Sequence, residues 1–378
     1  MKKIKLSSFN NKRHIFTGLL VVACVGIAGA LVVSISHAGN PFVDVAASSG
    51  QVASPATIGS SSSASNGHFV QFGSAASSST CSSPFTDSYF CQPVTGDAVL
   101  SNSAAMVSNF VSQYKNNYGT ININNGSYGD PIYRVGANQP TSNVSFNTSA
   151  CSGHASFQTM SVPVPSGATS ATGTDHSIIF YQPSTNSDWE FWEFTNTNGV
   201  YQACAGGKIS PVNTSNGVFP VSATQSQVAS SGISYLATDI TETDVQSGAI
   251  NHALAVQIIY CNGSYVAPAR SNYDCGNNGN TSNDIPYGQY FRFPSSLALP
   301  SGLTPLGQMI FKAIQKYGMV VTDKSGAVAI SAETPVGWQL TGNSGDPITS
   351  AMNGVASYSV ITGLPWSQLQ AIAPPALP

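Results

Sequence analysis

Charge is what this sequence has least of. Only 8% of its 378 residues are Asp, Glu, Lys or Arg. Five of the 13 basic residues lie before position 14, where there is no acid. The rest of the chain therefore carries 8 basic against 16 acidic residues, a formal charge of −8. It has no Lys/Arg cluster to track a phosphate backbone, so nucleic acid is not an expected partner. There is no Gly-x-Ser-x-Gly elbow, P-loop or dinucleotide fingerprint, which argues against Ser-His-Asp hydrolysis and nucleotide cofactors. No close Cys-x-x-Cys or Cys-His grouping exists either, and no metal or other cofactor is expected. We find no internal repeat.

What is present begins with an export segment. Lys2, Lys3, Lys5, Lys12 and Arg13 form a basic head, and Ile15 to Ile35 follows without a charge. Ser36-His37-Ala38 then offers a small-x-small cleavage pattern. The cut site fits a cleaved signal peptide. The length of the apolar run fits a membrane-anchoring helix, which needs roughly 17–25 residues. Val21-Val22-Ala23-Cys24 resembles a lipobox, a third option. In each case the chain beyond residue 38 works outside the cytoplasm, secreted or surface-anchored, and meets a membrane only through this segment. Residues 39–80 read as a Ser-rich linker, with His68 to Gly73 alternating like a short strand. Residues 81–378 read as one ordered domain, expected to be a monomer.

Six cysteines follow the leader: Cys81, Cys91, Cys151, Cys204, Cys261 and Cys275. An even count in an oxidising compartment points to three disulfides. Loop proximity favours Cys81–Cys91 and Cys261–Cys275, leaving Cys151–Cys204.

Two helices are predicted. Ser103 to Tyr118 spaces Met106, Phe110 and Tyr114 by four and stops at Gly119. Leu306 to Tyr317 has Thr304 as a cap, Pro305 in the first turn and Gly318 as a stop. The other segments are short, β-branched or aromatic: Ser177–Gln182, Trp189–Thr195, Ala253–Tyr260, Gln289–Phe293, Met319–Thr322 and Ala327–Ser331. The expected fold is mainly β, an antiparallel β-sandwich of jelly-roll type with two or three short helices. An N-terminal apolar helix would precede it.

Acids are scarce, so Asp188-Trp189-Glu190-Phe191-Trp192-Glu193-Phe194 stands out. In a regular strand Asp188, Glu190 and Trp192 share one face. Two carboxylates beside an indole suit a sugar: the acids as nucleophile and proton donor, the ring as a stacking platform. The bland reading is a strand with core aromatics and acids at a solvated edge. Asp175-His176 precedes another strand, with Asp175 more naturally a turn residue. His252 opens an apolar strand. It is either a satisfied structural histidine or, with Tyr287 and Arg270, the base and carboxylate clamp of a polysaccharide lyase. Asn277–Asp284 has a single acid and reads as a solvated turn rather than a calcium loop.

Two resemblances add to this. The i, i+2, i+5 spacing of Asp188, Glu190 and Glu193 resembles the acidic strand of laminarinase-type jelly-roll glucanases, with the order of Asp and Glu changed. A wider series looks like a family of exported bacterial β-rich proteins of unassigned role. It comprises Asp175 with its following strand, Glu190–Trp192, Gly248-x-Ile250-x-His252-Ala253-Leu254, Pro268-Ala269-Arg270, Pro286-Tyr287-Gly288 with Phe291-Arg292, and Ala313-Ile314-x-x-Tyr317-Gly318-Met319-Val320-Val321-x-Asp323. That resemblance implies one folding unit with a common pocket. The expected partner is a polysaccharide or cell-wall glycan. The leading expectation is glycoside hydrolysis by Glu190 and Asp188 with His252 nearby, Trp192, Asp175, Arg270 and Tyr287 contacting substrate. The alternatives are the lyase and a non-catalytic, lectin-like or adhesive protein.

Overall fold

The computed structural model describes residues 57–60, 68–71, 81–220, 222, 225–226, 228–276 and 284–376. The export segment, most of the linker and most of the Asn-rich turn at 277–284 lie outside these residues. The chain divides into two compact units, Met1–Ser78 and Ser79–Pro378. In the first, Thr57–Ser60 and His68–Gln71 form an antiparallel hairpin. The second unit carries the three disulfides and all the candidate site residues.

That unit is mostly β, but its sheets are mixed, not antiparallel as the sequence suggested. The largest sheet has the spatial order Gln370–Ile372, Tyr290–Arg292, Met319–Lys324, Leu254–Ile258, Ala329–Ser331, Asn122–Asn124. Leu254–Ile258 runs parallel to Met319–Lys324, and Ala329–Ser331 parallel to Asn122–Asn124. Parallel neighbours need a crossover, and helix Pro305–Lys316 lies in the connection. A second sheet has the order Ala205–Ile209, Ser187–Trp192, Ile178–Gln182, Asp130–Arg134, Glu333–Thr334. A third, smaller one contains Met160–Val162, Ser142–Phe146, Val200–Ala203 and Thr195–Thr197. Six α-helices occur among the described residues, more than the two or three expected, because several are single turns.

The two predicted helices form at Ser103–Asn117 and Pro305–Lys316. Thr304 Oγ1 accepts the Gly307 amide at 3.0 Å, Pro305 occupies the first turn, and Gly318 exits at φ 80°. The predicted strand Trp189–Thr195 stops early. Glu193 turns left-handed at φ 50°, so the strand is Ser187–Trp192.

The five-stranded sheet is apolar on both faces. Ile132, Ile179 and Ile209 point into the main core. Their neighbours Tyr133, Phe180, Trp189 and Phe191 point into a separate aromatic cluster with Phe157 and Phe194. A period of two therefore serves two cores at once. Glycine is required where the sheet meets them: a Cβ on Gly206 would lie 2.3 Å from the Phe191 ring.

Disulfides join Cys81 to Cys91, Cys151 to Cys204, and Cys261 to Cys275. They fit an oxidising, extracellular setting. Among the described residues no helix is long and apolar enough to cross a membrane. A Cys151→Ser/Cys204→Ser double variant should lose about 2–5 kcal/mol of folding stability in a denaturant titration. An unchanged midpoint would mean that the crosslink closes a region already held by packing.

Candidate functional site

The acidic strand is an interior strand of the second sheet, next to its edge strand Ala205–Ile209, and its acids are inside the protein. Asp188 and Glu190 are both 0% exposed. Glu190 sits between Ile179 and Gly207 across the sheet, Asp188 between Tyr181 and Ile209. Their face, which a sugar site would need open to a cleft, is covered by the segment that starts at Ser234. Ser234 Oγ donates to Glu190 Oε1 at 2.7 Å and lies 3.4 Å from Asp188 Oδ2. The Leu236 amide donates to the same Glu190 oxygen at 3.0 Å. Glu190 thus satisfies a free amide at the start of the one-turn helix Tyr235–Thr238, whose own cap is Ser234.

Further acids join them. Asp130, Asp188, Glu190, Asp239, Glu242, Asp244 and Glu333 are all buried, seven of the chain's 16 acids. Two cations answer them directly. Arg134 grips Glu333 with two bonds of 2.6 and 2.9 Å. His252 Nε2 lies 3.2 Å from Asp244 Oδ2, and its Nδ1 is 2.9 Å from the Ala253 carbonyl. Both ring nitrogens face acceptors, so the imidazolium is the form that fits. Burial would raise Asp244, but the His252 charge outweighs it and holds Asp244 below the usual range. Burial would lower His252, and Asp244 raises it instead.

The remaining acids share protons. Oδ1 of Asp188, Oε2 of Glu190 and both carboxyl oxygens of Asp239 are buried without a donor when every acid is ionised. Yet Asp188 faces Glu190, and Asp239 faces Asp130, within hydrogen-bonding reach. A proton on one member of each pair supplies the missing donor. Burial, then the Glu190 charge, drives Asp188 well above the carboxylate range. Burial, then Asp130, does the same to Asp239. Burial takes Glu190 to about 7 and Glu242 to about 8. Glu242 meanwhile accepts the Ile348 amide at 2.8 Å.

Other predicted site residues are scattered. His252 is 1% exposed and tied to Asp244; neither Arg270 nor Tyr287 is among its partners. Tyr287 is 0% exposed and its hydroxyl donates to Asp274 at 2.5 Å. His252, Tyr287 and Arg270 therefore do not converge on open space. Glu193 does not join Glu190: its Oε2 lies 3.0 Å from Cys204 Sγ. Cys151, Glu193 and Cys204 are close enough to suggest a metal site, but the disulfide removes both thiolates.

Asp175 and Trp192 do come together. Asp175 accepts a hydrogen bond from Trp192, and the Glu193 amide donates to the Asp175 carbonyl at 2.8 Å. The half-buried Trp192 ring lies 5.2 Å from His154, which lies 6.3 Å from Tyr273. His154 is exposed and Tyr273 is 59% exposed. The disulfide assembles this group. The His154 amide bonds to the Cys151 carbonyl at 3.1 Å, and the Cys204 amide to the Trp192 carbonyl at 3.0 Å. Sequence reasoning did not single out His154 or Tyr273, and nothing local marks either.

A groove of about 830 Å³ opens elsewhere, lined by Tyr89, Lys208, Ser210–Pro211, Thr214–Asn216 and Pro268, with Arg270. Of the predicted site residues, Arg270 alone lines it. No family model, curated protein or solved structure matches the chain.

The raised acids give folding a definite pH dependence. Their folded-state values lie above the unfolded values of roughly 4, so the folded form holds more protons. Their stabilisation is complete below about pH 4 and is lost as pH rises through about 7 to 8. His252 acts in the same direction: its raised value contributes stability that fades as pH climbs past it. We expect stability to fall by a few kcal/mol, on the order of 2–5, between about pH 5 and pH 8. Glu190→Gln keeps the acceptor for Ser234 and Leu236 and offers Asp188 a permanent donor. Its melting temperature should match the parent at the acidic end and exceed it at the alkaline end. Parallel melting curves for the two proteins would show that no proton is shared at Glu190.

Proposed function

We propose that this is an exported glycan-binding protein that holds sugar on an aromatic platform and does not cleave it. The observation that carries this reading is the Trp192 group. An indole anchored through Asp175, flanked by exposed His154 and Tyr273, combines a flat apolar face with polar neighbours. A pyranose presents the matching surfaces: C–H bonds on one face and hydroxyls around the rim. Asp175 can accept from such hydroxyls.

Glycoside hydrolysis by Asp188 and Glu190 is the weaker reading. The reacting carboxyls must touch both the glycosidic oxygen and the anomeric carbon. Here they touch Ser234 and the Leu236 amide, and neither is exposed. The lyase reading meets the same obstacle at His252 and Tyr287. The leader, the disulfides and the sparse charge suit a protein that meets glycans outside the cell.

Trp192→Ala should weaken retention on the preferred glycan at least tenfold, about 1.4 kcal/mol. Incubating the parent protein with that glycan should release no new reducing ends. Release that disappears in Glu190→Gln would instead restore the hydrolase.

A further inference from the structure

The groove beside Arg270 differs electrostatically from the rest of the exported chain. That chain carries 8 basic and 16 acidic residues, yet two of the cations, Lys208 and Arg270, line this one groove. No acid lines it. Over a Debye length of roughly 8–10 Å, such local charges decide what binds more than the net charge does.

Both cations are held in place. The Lys208 ammonium sits 4.7 Å from the centre of the Trp189 ring. Arg270 is fixed at its backbone, where its amide donates to the Ser231 carbonyl at 2.9 Å. Its stem lies along Gly232, and that glycine is required. Gly232 has φ 80°, and a Cβ there would come 2.5 Å from the Arg270 Nε. The Nε is buried and lacks an acceptor. Neither ion pair among the described residues involves Arg270. Burial alone lowers its proton affinity, with no neighbouring carboxylate to oppose it. This is a half-buried guanidinium without a counter-ion, facing a cavity in the size range of ligand sites, roughly 300–1,000 Å³.

We propose that the groove is a second saccharide subsite that takes an acidic sugar, with the carboxylate of a uronic-acid residue set on the terminal nitrogens of Arg270 and the Lys208 charge, held over Trp189 at the edge strand, adding to the field. This rests on the glycan-binding reading and names the class of glycan. A planar carboxylate matches the guanidinium fork, and the Lys208 charge at the groove's edge adds attraction without demanding geometry. Asn216, Thr214 and Tyr89 offer polar groups for sugar hydroxyls, and Pro211 and Pro268 offer apolar faces.

The test compares trigalacturonate with its methyl ester, which keeps the sugar rings and hydroxyls but loses the charges and gains a methyl on each carboxyl. Calorimetric titration of the disulfide-intact ectodomain should show the acid form binding at least tenfold tighter. Raising the salt concentration should erase the difference. Arg270→Gln and, separately, Lys208→Gln should each reduce the preference, while Arg270→Lys should keep part of it. Lys208→Gln guards against a folding defect, because the Lys208 side chain packs only over a ring face; unchanged melting temperatures confirm the fold. Equal affinity for acid and ester, or a preference that survives both glutamine variants, overturns the acidic subsite and leaves the Trp192 platform standing. Binding of neither form, together with no retention of any neutral glycan, overturns both.

Discussion

A single carboxyl group links the parts of this fold. Glu190 lies on an interior strand of a sheet that packs a core against each face, and it reaches across one core to the Leu236 backbone. The alternate residues of the same strand fill the other core. If the sheet rotated or slipped by one residue, acids would enter the aromatic cluster and rings would meet Ser234. The bond from Leu236 to Glu190 therefore fixes register, the placing of both cores and the position of the chain that runs on to Asp239.

That chain brings further acids inward, and the protein tolerates them in two ways. Where a cation is at hand, as with Arg134 and His252, the acid stays charged and paired. Where none is, two acids face each other and one keeps its proton. An isolated ionised carboxylate in such a core would be too costly to hold. The clustering is thus itself the device that makes burial tolerable. It also explains how a chain with so few charges can place nearly half its acids inside without unfolding.

Much of the local structure was legible in the sequence. Caps and stops fix helix Pro305–Lys316, because Thr304, Pro305 and Gly318 act through neighbouring backbone alone. Loop proximity gave the disulfide pairs. Strand direction was not legible in the same way, since an alternating pattern is indifferent to whether its neighbour runs parallel. A cue existed in Leu254–Ile258 and Met319–Lys324, where apolar residues run together, as they do in strands covered on both faces. Alternation put Asp188 beside Glu190, but nothing in that segment says what lies over them. The cover comes from Ser234, more than forty residues away, and the partner of Asp130 is Asp239, over a hundred away. Thr241 and Asp244 were readable as a capping box, which would have flagged Asp244 as structural before His252 was paired with it.

The Cys151–Cys204 bridge has a consequence for timing. It clips the turn carrying His154 against the strand end carrying Trp192. Cytoplasmic thiols stay reduced, so a newly made chain lacks this clip until it reaches an oxidising compartment. The aromatic face is fastened by that oxidation, so the side chains on its two halves are brought into register only after the chain has left a reducing setting.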